Sequence, residues 1–556
     1  MMRVRWRLVL GGLMLEVARS ACAAGAHSGG PVIAAATAGV AEHASSAASA
    51  SSDVAPAAPL LTPCWPEGVE HGAMCGQVRR PLDPARPDGV AIDVHFAVVP
   101  ALARQKKADP VFFFAGGPGQ SAIALAGTLS RMYARLANRR DLVFVDQRGT
   151  GASAPLQCPE LPPTAPLAST VGRARMLARL AECRVALQKL PWGDLRQYTT
   201  WVAMGDIDAV RAALGAERID LIGASYGTRA ALEYLRQFAQ TVRRTVIDGV
   251  APPDMALPAS FSTDNQAALD ALFAACAAEP RCRERYPALH ASLERLLASL
   301  PREANVTQPV TGATERLVVD REFVLGMLRA PLYAPWVAAA LPEAITEAAA
   351  GRFDALVGLG SVVAGGGSRA LRLAEGMHFS VICAEDMPRL AQAKDRPGAD
   401  FGQGFADLYR AACADWPRGT VPAAFYTIPP APSATLVLSG GADPVTPPRH
   451  GARVARALGA KARHVVVPAA GHGTLALACM REAATRFIDA EDDAAALAVD
   501  ADCARTMPRP GVFLPLGVAA GDTTTSGATA GGTTAGGTTA GAVPPAASGA
   551  PAGARR

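Results

Sequence analysis

Gly223-Ala224-Ser225-Tyr226-Gly227 lies between a short apolar run, Ile219 to Ile222, and a helical stretch that opens near Thr228. At a strand-to-helix turn of this kind the serine is forced into strained dihedrals, and neighbours two residues away must lack bulk. The turn lifts Ser225 Oγ clear of the backbone. The N–H groups that follow it open a helix whose dipole favours an anion. The frame predicts Ser225 as a nucleophile, with the Tyr226 N–H beside any oxyanion it forms. The competing reading is a Gly-rich turn that merely carries a serine.

The rest of the chain is consistent with that turn. Val111 to Phe114, Asp141 to Val145, Thr245 to Ile247, Thr435 to Ser439 and His464 to Val467 are short apolar runs, the kind buried on both faces in parallel sheets. Ile92 to Phe96 alternates apolar and polar residues, as a half-exposed antiparallel strand does. Ile207, Val210 and Leu214 have helical spacing, so a helix precedes the Ile219 strand. Alternation of this sort predicts an α/β fold with a mostly parallel sheet and flanking helices. From about 252 to 430 the rhythm breaks into helical stretches, read as a cap inserted over one end of the sheet.

An elbow serine needs a base and an orienting acid. Among the late histidines, His464 begins a strand and His450 falls on a helix predicted over 449–460. His472, in the loop Ala470-Gly471-His472-Gly473 just past a strand, has the reach a proton shuttle needs. Asp443, in Ser439-Gly440-Gly441-Ala442-Asp443-Pro444, follows the preceding strand and is placed to fix the tautomer of His472. Phe114-Ala115-Gly116-Gly117-Pro118-Gly119 lets a backbone N–H approach a substrate carbonyl, with Gly117 the first candidate donor and Gly116 the second.

Composition narrows the function further. The 54 Lys+Arg and 49 Asp+Glu leave a net charge of only +5, without a basic block, so nucleic acid is an unexpected partner. No apolar run reaches the length of a transmembrane helix. CxxC, HExxH, P-loop and GxGxxG motifs are all missing, so no metal and no cofactor is expected.

Arg3, Arg5 and Arg7, then the apolar Leu8 to Val17 and Ala21-Cys22-Ala23, read as a secretory signal. Arg19 argues against a lipid anchor at Cys22. Beyond it ten cysteines fall as near neighbours: Cys64/Cys75, Cys158/Cys183, Cys276/Cys282, Cys383/Cys413 and Cys479/Cys503. In an exported chain they predict up to five local disulfides and a periplasmic or extracellular protein. The expected organisation is a signal peptide over 1–23, a disordered linker over 24–58, core over 59–251 and a helical cap over 252–430. The core then resumes over 431–517 with Asp443 and His472, and a disordered Gly/Thr/Ala tail covers 518–556.

Three motifs in order resemble the α/β-hydrolase superfamily, in its prolyl and tripeptidyl aminopeptidase branch. They are Ala115-Gly116-Gly117-Pro118-Gly119, Asp146-Gln147-Arg148-Gly149-Thr150-Gly151-Ala152-Ser153 and the Ser225 turn. Ala115 stands where many members have histidine. The resemblance implies an α/β-hydrolase fold, a Ser225–Asp443–His472 triad, and an exopeptidase acting on peptides with a free N-terminus. It also implies that Asp146 and Arg148 support the site structurally. A carboxylesterase is the alternative, and an inactive binding module a remote one. An aminopeptidase must recognise an ammonium, which is costly to bury unpaired. Ser380 to Asp386 resembles a cap stretch that ends in an acid, which makes Glu385, then Asp386, the expected amine-binding carboxylates.

Overall fold

The structure, a computed structural model, describes residues 61–364 and 372–515. The expected signal peptide, linker and tail lie outside these residues. The strands are β1 (Thr62–Cys64), β2 (Ala73–Pro81), β3 (Ala91–Val99), β4 (Val111–Phe114), β5 (Leu142–Val145), β6 (Ile219–Ala224), β7 (Val242–Asp248), β8 (Arg302–Thr307), β9 (Thr314–Val319), β10 (Thr435–Gly440) and β11 (Ala462–Val467). Nine of them form one sheet in the order β1-β2-β3-β5-β4-β6-β7-β10-β11. From β5 to β11 every pairing is parallel, and the β1, β2 and β3 edge is antiparallel.

The period of two along each strand divides the core into layers. Phe112, Phe114, Leu221 and Ile247 pack on one face, whereas Val111, Phe113, Ile222 and Val246 pack on the other. Both faces are therefore covered by helices, as continuous apolar strands require. The helices that matter for the site are α1 (Ala122–Met132), α2 (Thr200–Ala213), α3 (Tyr226–Gln237), α4 (Leu257–Ala278), α5 (Arg321–Leu332), α6 (Glu375–Glu385), α7 (Gly404–Ala414), α8 (Pro448–Leu458) and α9 (Ala478–Asp489). Thr199 caps α2 by accepting from the Val202 N–H, and Ser121 caps α1 through the Ala124 N–H.

Between β7 and β10 the chain leaves the sheet and builds a separate apolar cluster, with Leu269, Leu293, Leu328 and Ile345 at its centre. Helices dominate here, but β8 and β9 form an antiparallel hairpin that helical spacing did not foretell. Its strands are largely polar, and Val306, Leu317 and Val319, with Ala304 partly buried beside them, turn into the cluster. β2 was hidden for a similar reason, because Gln77 and Arg79 are exposed and break up its apolar positions. All five expected cysteine pairs are disulfides.

Candidate active site

Parallel strands deliver their loops to one edge, and the expected site residues gather there, at the carboxyl ends of β4, β6, β10 and β11. Ser225 leaves β6 with φ 57° and ψ −128°, a conformation costly for a residue with a Cβ. The surroundings hold it in place. Its N–H donates to the Asp248 carbonyl at 3.0 Å, and its carbonyl accepts from the Thr228 hydroxyl at 2.6 Å. Gly227 is obligatory, because a Cβ there would collide with the Phe114 carbonyl oxygen. Tyr226 is the first residue of α3, so its N–H has no intrahelical acceptor.

The Gly116–Gly119 loop runs alongside. A Cβ on Gly116 would lie 3.5 Å from Ser225 Cβ, so this loop and the elbow are neighbours. Asp146, at the end of β5, holds the N-terminus of α1, the helix that follows the Gly116–Gly119 loop. It accepts from Ser121 Oγ at 2.6 Å and the Ile123 N–H at 3.1 Å. Arg148 is fully buried against Asp206, with contacts of 2.6 and 2.9 Å.

His472 Nδ1 meets Asp443 Oδ2 at 2.8 Å. The carboxylate only accepts, so Nδ1 carries the proton and Nε2 is left as the basic nitrogen. Burial pushes the Asp443 carboxyl up, but the imidazole and two backbone N–H groups outweigh it and hold the acid below the usual carboxylate range. Burial likewise lowers His472, and the Asp443 charge more than restores it, leaving the imidazole above its ordinary value. His450 and His464 are engaged elsewhere, with Asp264 at 2.9 Å and Ser439 at 3.0 Å.

Several neighbours had no separate signal in the sequence. Thr446 donates to Asp443 Oδ2 at 2.7 Å and lies 3.0 Å from His472 Nδ1, so it braces the pair. Gly249 turns at φ 62°, and a Cβ there would crowd Thr446 at 3.0 Å and His472 at 3.4 Å. Asp248 accepts from Thr474 Oγ1 at 2.9 Å and the Leu475 N–H at 2.8 Å, which anchors the His472 loop to β7. The inserted block adds Tyr333, whose carbonyl takes the His472 N–H at 2.9 Å and whose ring edge abuts the imidazole.

Ser225, Thr446 and Gly117 line a cavity of about 50 Å³, completed mainly by apolar side chains such as Met255, Phe261 and Ile382. The charged group on its wall is Arg229, not an acid. Glu385 and Asp386, the expected amine-binding carboxylates, do not line this cavity. Both are fully buried, and neither offers an open carboxylate to this cavity. Asp386 grips Arg229 at 2.6 and 3.0 Å and accepts the Leu257 N–H at 2.9 Å. Glu385 accepts the Thr200 N–H at 2.6 Å and its hydroxyl at 3.0 Å, with Arg229 at 3.4 Å. A buried acid pair takes the nearest cation, and Arg229 lies one helical turn beyond Ser225.

The sheet, the elbow and the acid–imidazole pair define a serine hydrolase. The alpha/beta hydrolase fold family matches residues 109–301, and the TAP-like protein family matches residues 399–494. The serine protease Hip1 of Mycobacterium tuberculosis is 26% identical over 431 residues, 71% of this chain and 82% of that protein. A tripeptidyl aminopeptidase of Streptomyces coelicolor is 31% identical over 190 residues, 32% of this chain and 35% of its own length. The chain belongs to the α/β-hydrolase superfamily, in its TAP-like branch. Among the described residues no helix is long and apolar enough to cross a membrane.

Proposed function

We propose that this serine hydrolase is an exported exopeptidase that releases residues from the free N-terminus of peptides through an acyl-enzyme. Ser225 is the nucleophile, His472 the base and Asp443 the orienting acid. The observation that carries the reading is the strained Ser225 turn at the sheet edge that also holds the 2.8 Å Asp443–His472 pair. His472 Nε2 takes the Ser225 proton as Oγ attacks the scissile carbonyl. The developing oxyanion lies against the Gly117 and Tyr226 N–H groups, and Asp443 stabilises the imidazolium. The same proton then passes to the leaving amine, and water releases the acyl group by the reverse sequence.

The exopeptidase mode is supported by the TAP-like branch and by the aminopeptidase among the relatives. Five disulfides support an oxidising, exported setting. We take residues 59–251 and 431–517 as the core and 252–430 as the cap. One observation favours a carboxylesterase as a second reading: the Ser225 cavity is apolar and has no acidic wall to meet an ammonium.

The test is to assay one purified protein on a free-amine tripeptidyl amide, its N-acetylated twin and an uncharged acyl ester. Cleavage confined to the free amine is expected, and turnover of the ester alone sinks the peptidase reading. Ser225→Ala is expected to lose about 10⁶ in kcat and all labelling by a fluorophosphonate, with its fold intact.

A further inference from the structure

α6 crosses the site from one wall to the other. Before its first turn the Ala374 N–H donates to the Gly119 carbonyl at 2.9 Å. One turn on, His378 Nδ1 meets the Pro118 carbonyl at 3.3 Å. A carbonyl only accepts, so Nδ1 bears the proton and Nε2 accepts from the Tyr409 hydroxyl at 2.9 Å. Burial pushes this imidazole down to about 4, which keeps it neutral and in that tautomer. His378 thus ties the Gly116–Gly119 loop to the inserted block.

The far end of α6 holds the other wall. The Thr200 hydroxyl donates to Glu385 Oε2 at 3.0 Å, so in its 2.7 Å contact with the Tyr226 phenol it accepts. Gln147 donates to the same phenol oxygen at 2.9 Å. A one-way chain results, from the Tyr226 hydroxyl to Thr200 to Glu385. Its members are buried, where an unpaired polar group is costly. The Tyr226 ring is thereby fixed from outside α3, and its backbone N–H with it.

We propose that Glu385 and His378 are positioning residues for the oxyanion hole. Glu385 acts through Thr200 on Tyr226, and His378 acts through Pro118 on Gly117. The two donors sit on separate elements, the Gly116–Gly119 loop and the start of α3, and α6 touches the anchors of both. The proposal rests on Ser225 being the nucleophile, and it gives Glu385 a different task from amine binding.

Thr200→Val removes the hydroxyl and keeps the shape, Thr200→Ser keeps the hydroxyl, and Tyr226→Phe removes the phenol oxygen. Losing an oxyanion donor outright costs about 10²–10³, so loosening its anchor is expected to lower kcat about 10-fold while KM stays within about 2-fold. Thr200→Ser restores the rate. The Thr200→Val/Tyr226→Phe double variant is no slower than the worse single, because one chain is broken once. His378→Asn, which keeps a donor near the Nδ1 position, retains more kcat than His378→Leu. Affinity for a peptide boronate falls in step with kcat. Unchanged kcat in folded Thr200→Val, or a change confined to KM, overturns the proposal. If Thr200→Val does not fold, Tyr226→Phe carries the same test. A fluorophosphonate label that maps away from Ser225 in wild type removes the underlying reading instead.

Discussion

Two buried acid–cation assemblies flank Ser225, and burial alone hardly tells them apart. Asp443 and His472 are 2% and 7% exposed, whereas Glu385, Asp386 and Arg229 are 0%, 0% and 1% exposed. The cation separates them. An imidazole releases its proton within the ordinary pH range, but a guanidinium does not. Asp443 therefore faces a partner that can cycle between charged and neutral, with Nε2 turned away from the acid. Asp386 and Glu385 face a partner whose charge never leaves: burial pulls the Arg229 pKa down, but the two carboxylates outweigh it and leave the pKa above its ordinary value. One assembly suits proton transfer, and the other suits holding α3 against α6.

The largest effect expected from breaking this contrast is on the cycling side. Asp443→Asn preserves an acceptor for the Val445 and Thr446 N–H groups, so the fold is expected to persist. It removes the charge that holds the His472 tautomer, and kcat is expected to fall about 10⁴-fold. The proposed base, His472, must be neutral to act, so wild-type kcat/KM is expected to rise with pH through its pKa. That acid limb is expected above the ordinary histidine value of 6.5, because the Asp443 charge outweighs burial. In Asp443→Asn the limb moves to lower pH. A limb that stays in place shows that another group titrates.

How far this contrast could be read in advance depended on distance along the chain. The Ser225 turn is written within five residues, and Asp443 and His472 each end an apolar run, so local pattern alone placed them at strand ends. Arg229 reads as one more basic residue on an amphipathic helix. Nothing local says that its side chain faces two acids from a segment more than 150 residues away. The same holds for Thr446 and Gly249, whose contacts exist only once β7, β10 and the His472 loop come together. β8 and β9 escaped notice because few of their side chains are apolar. Patterns set by burial on one element were legible, whereas partnerships between elements were not.

On the clamping side the expected effect is on stability. Arg229→Met leaves two acids buried without their cation, a loss expected to cost about 3–5 kcal/mol. The cost is expected to shrink as pH falls, because loss of the Arg229 charge pushes the buried Glu385 carboxyl further up and its proton cancels one of the stranded charges. Denaturant midpoints at pH 5 and pH 8 check this. Equal losses at both pH values would mean that Glu385 does not titrate in the folded protein. Asp443→Asn, measured alongside, is expected to move these midpoints far less than it moves kcat.

The smallest expected effect isolates Glu385 itself. Burial is the main cause that raises its carboxyl from 4.5 to about 7, against the opposing pull of Arg229 and the Thr200 hydrogen bonds. Between those two values the folded chain keeps a proton that the unfolded chain has released. Stability from this group is thus fully present below pH 4.5 and is lost as pH rises towards 7. Glu385→Gln keeps the side-chain shape and an acceptor for Thr200 but cannot titrate. Relative to this variant, wild type is expected to lose stability between pH 4.5 and 7 and then run parallel to it. Measured by chemical denaturation across that window, curves that stay parallel throughout would place the Glu385 proton elsewhere. A converging or crossing pair would show that this acid is held against its preference for charge, as a clamp tolerates and a proton shuttle does not.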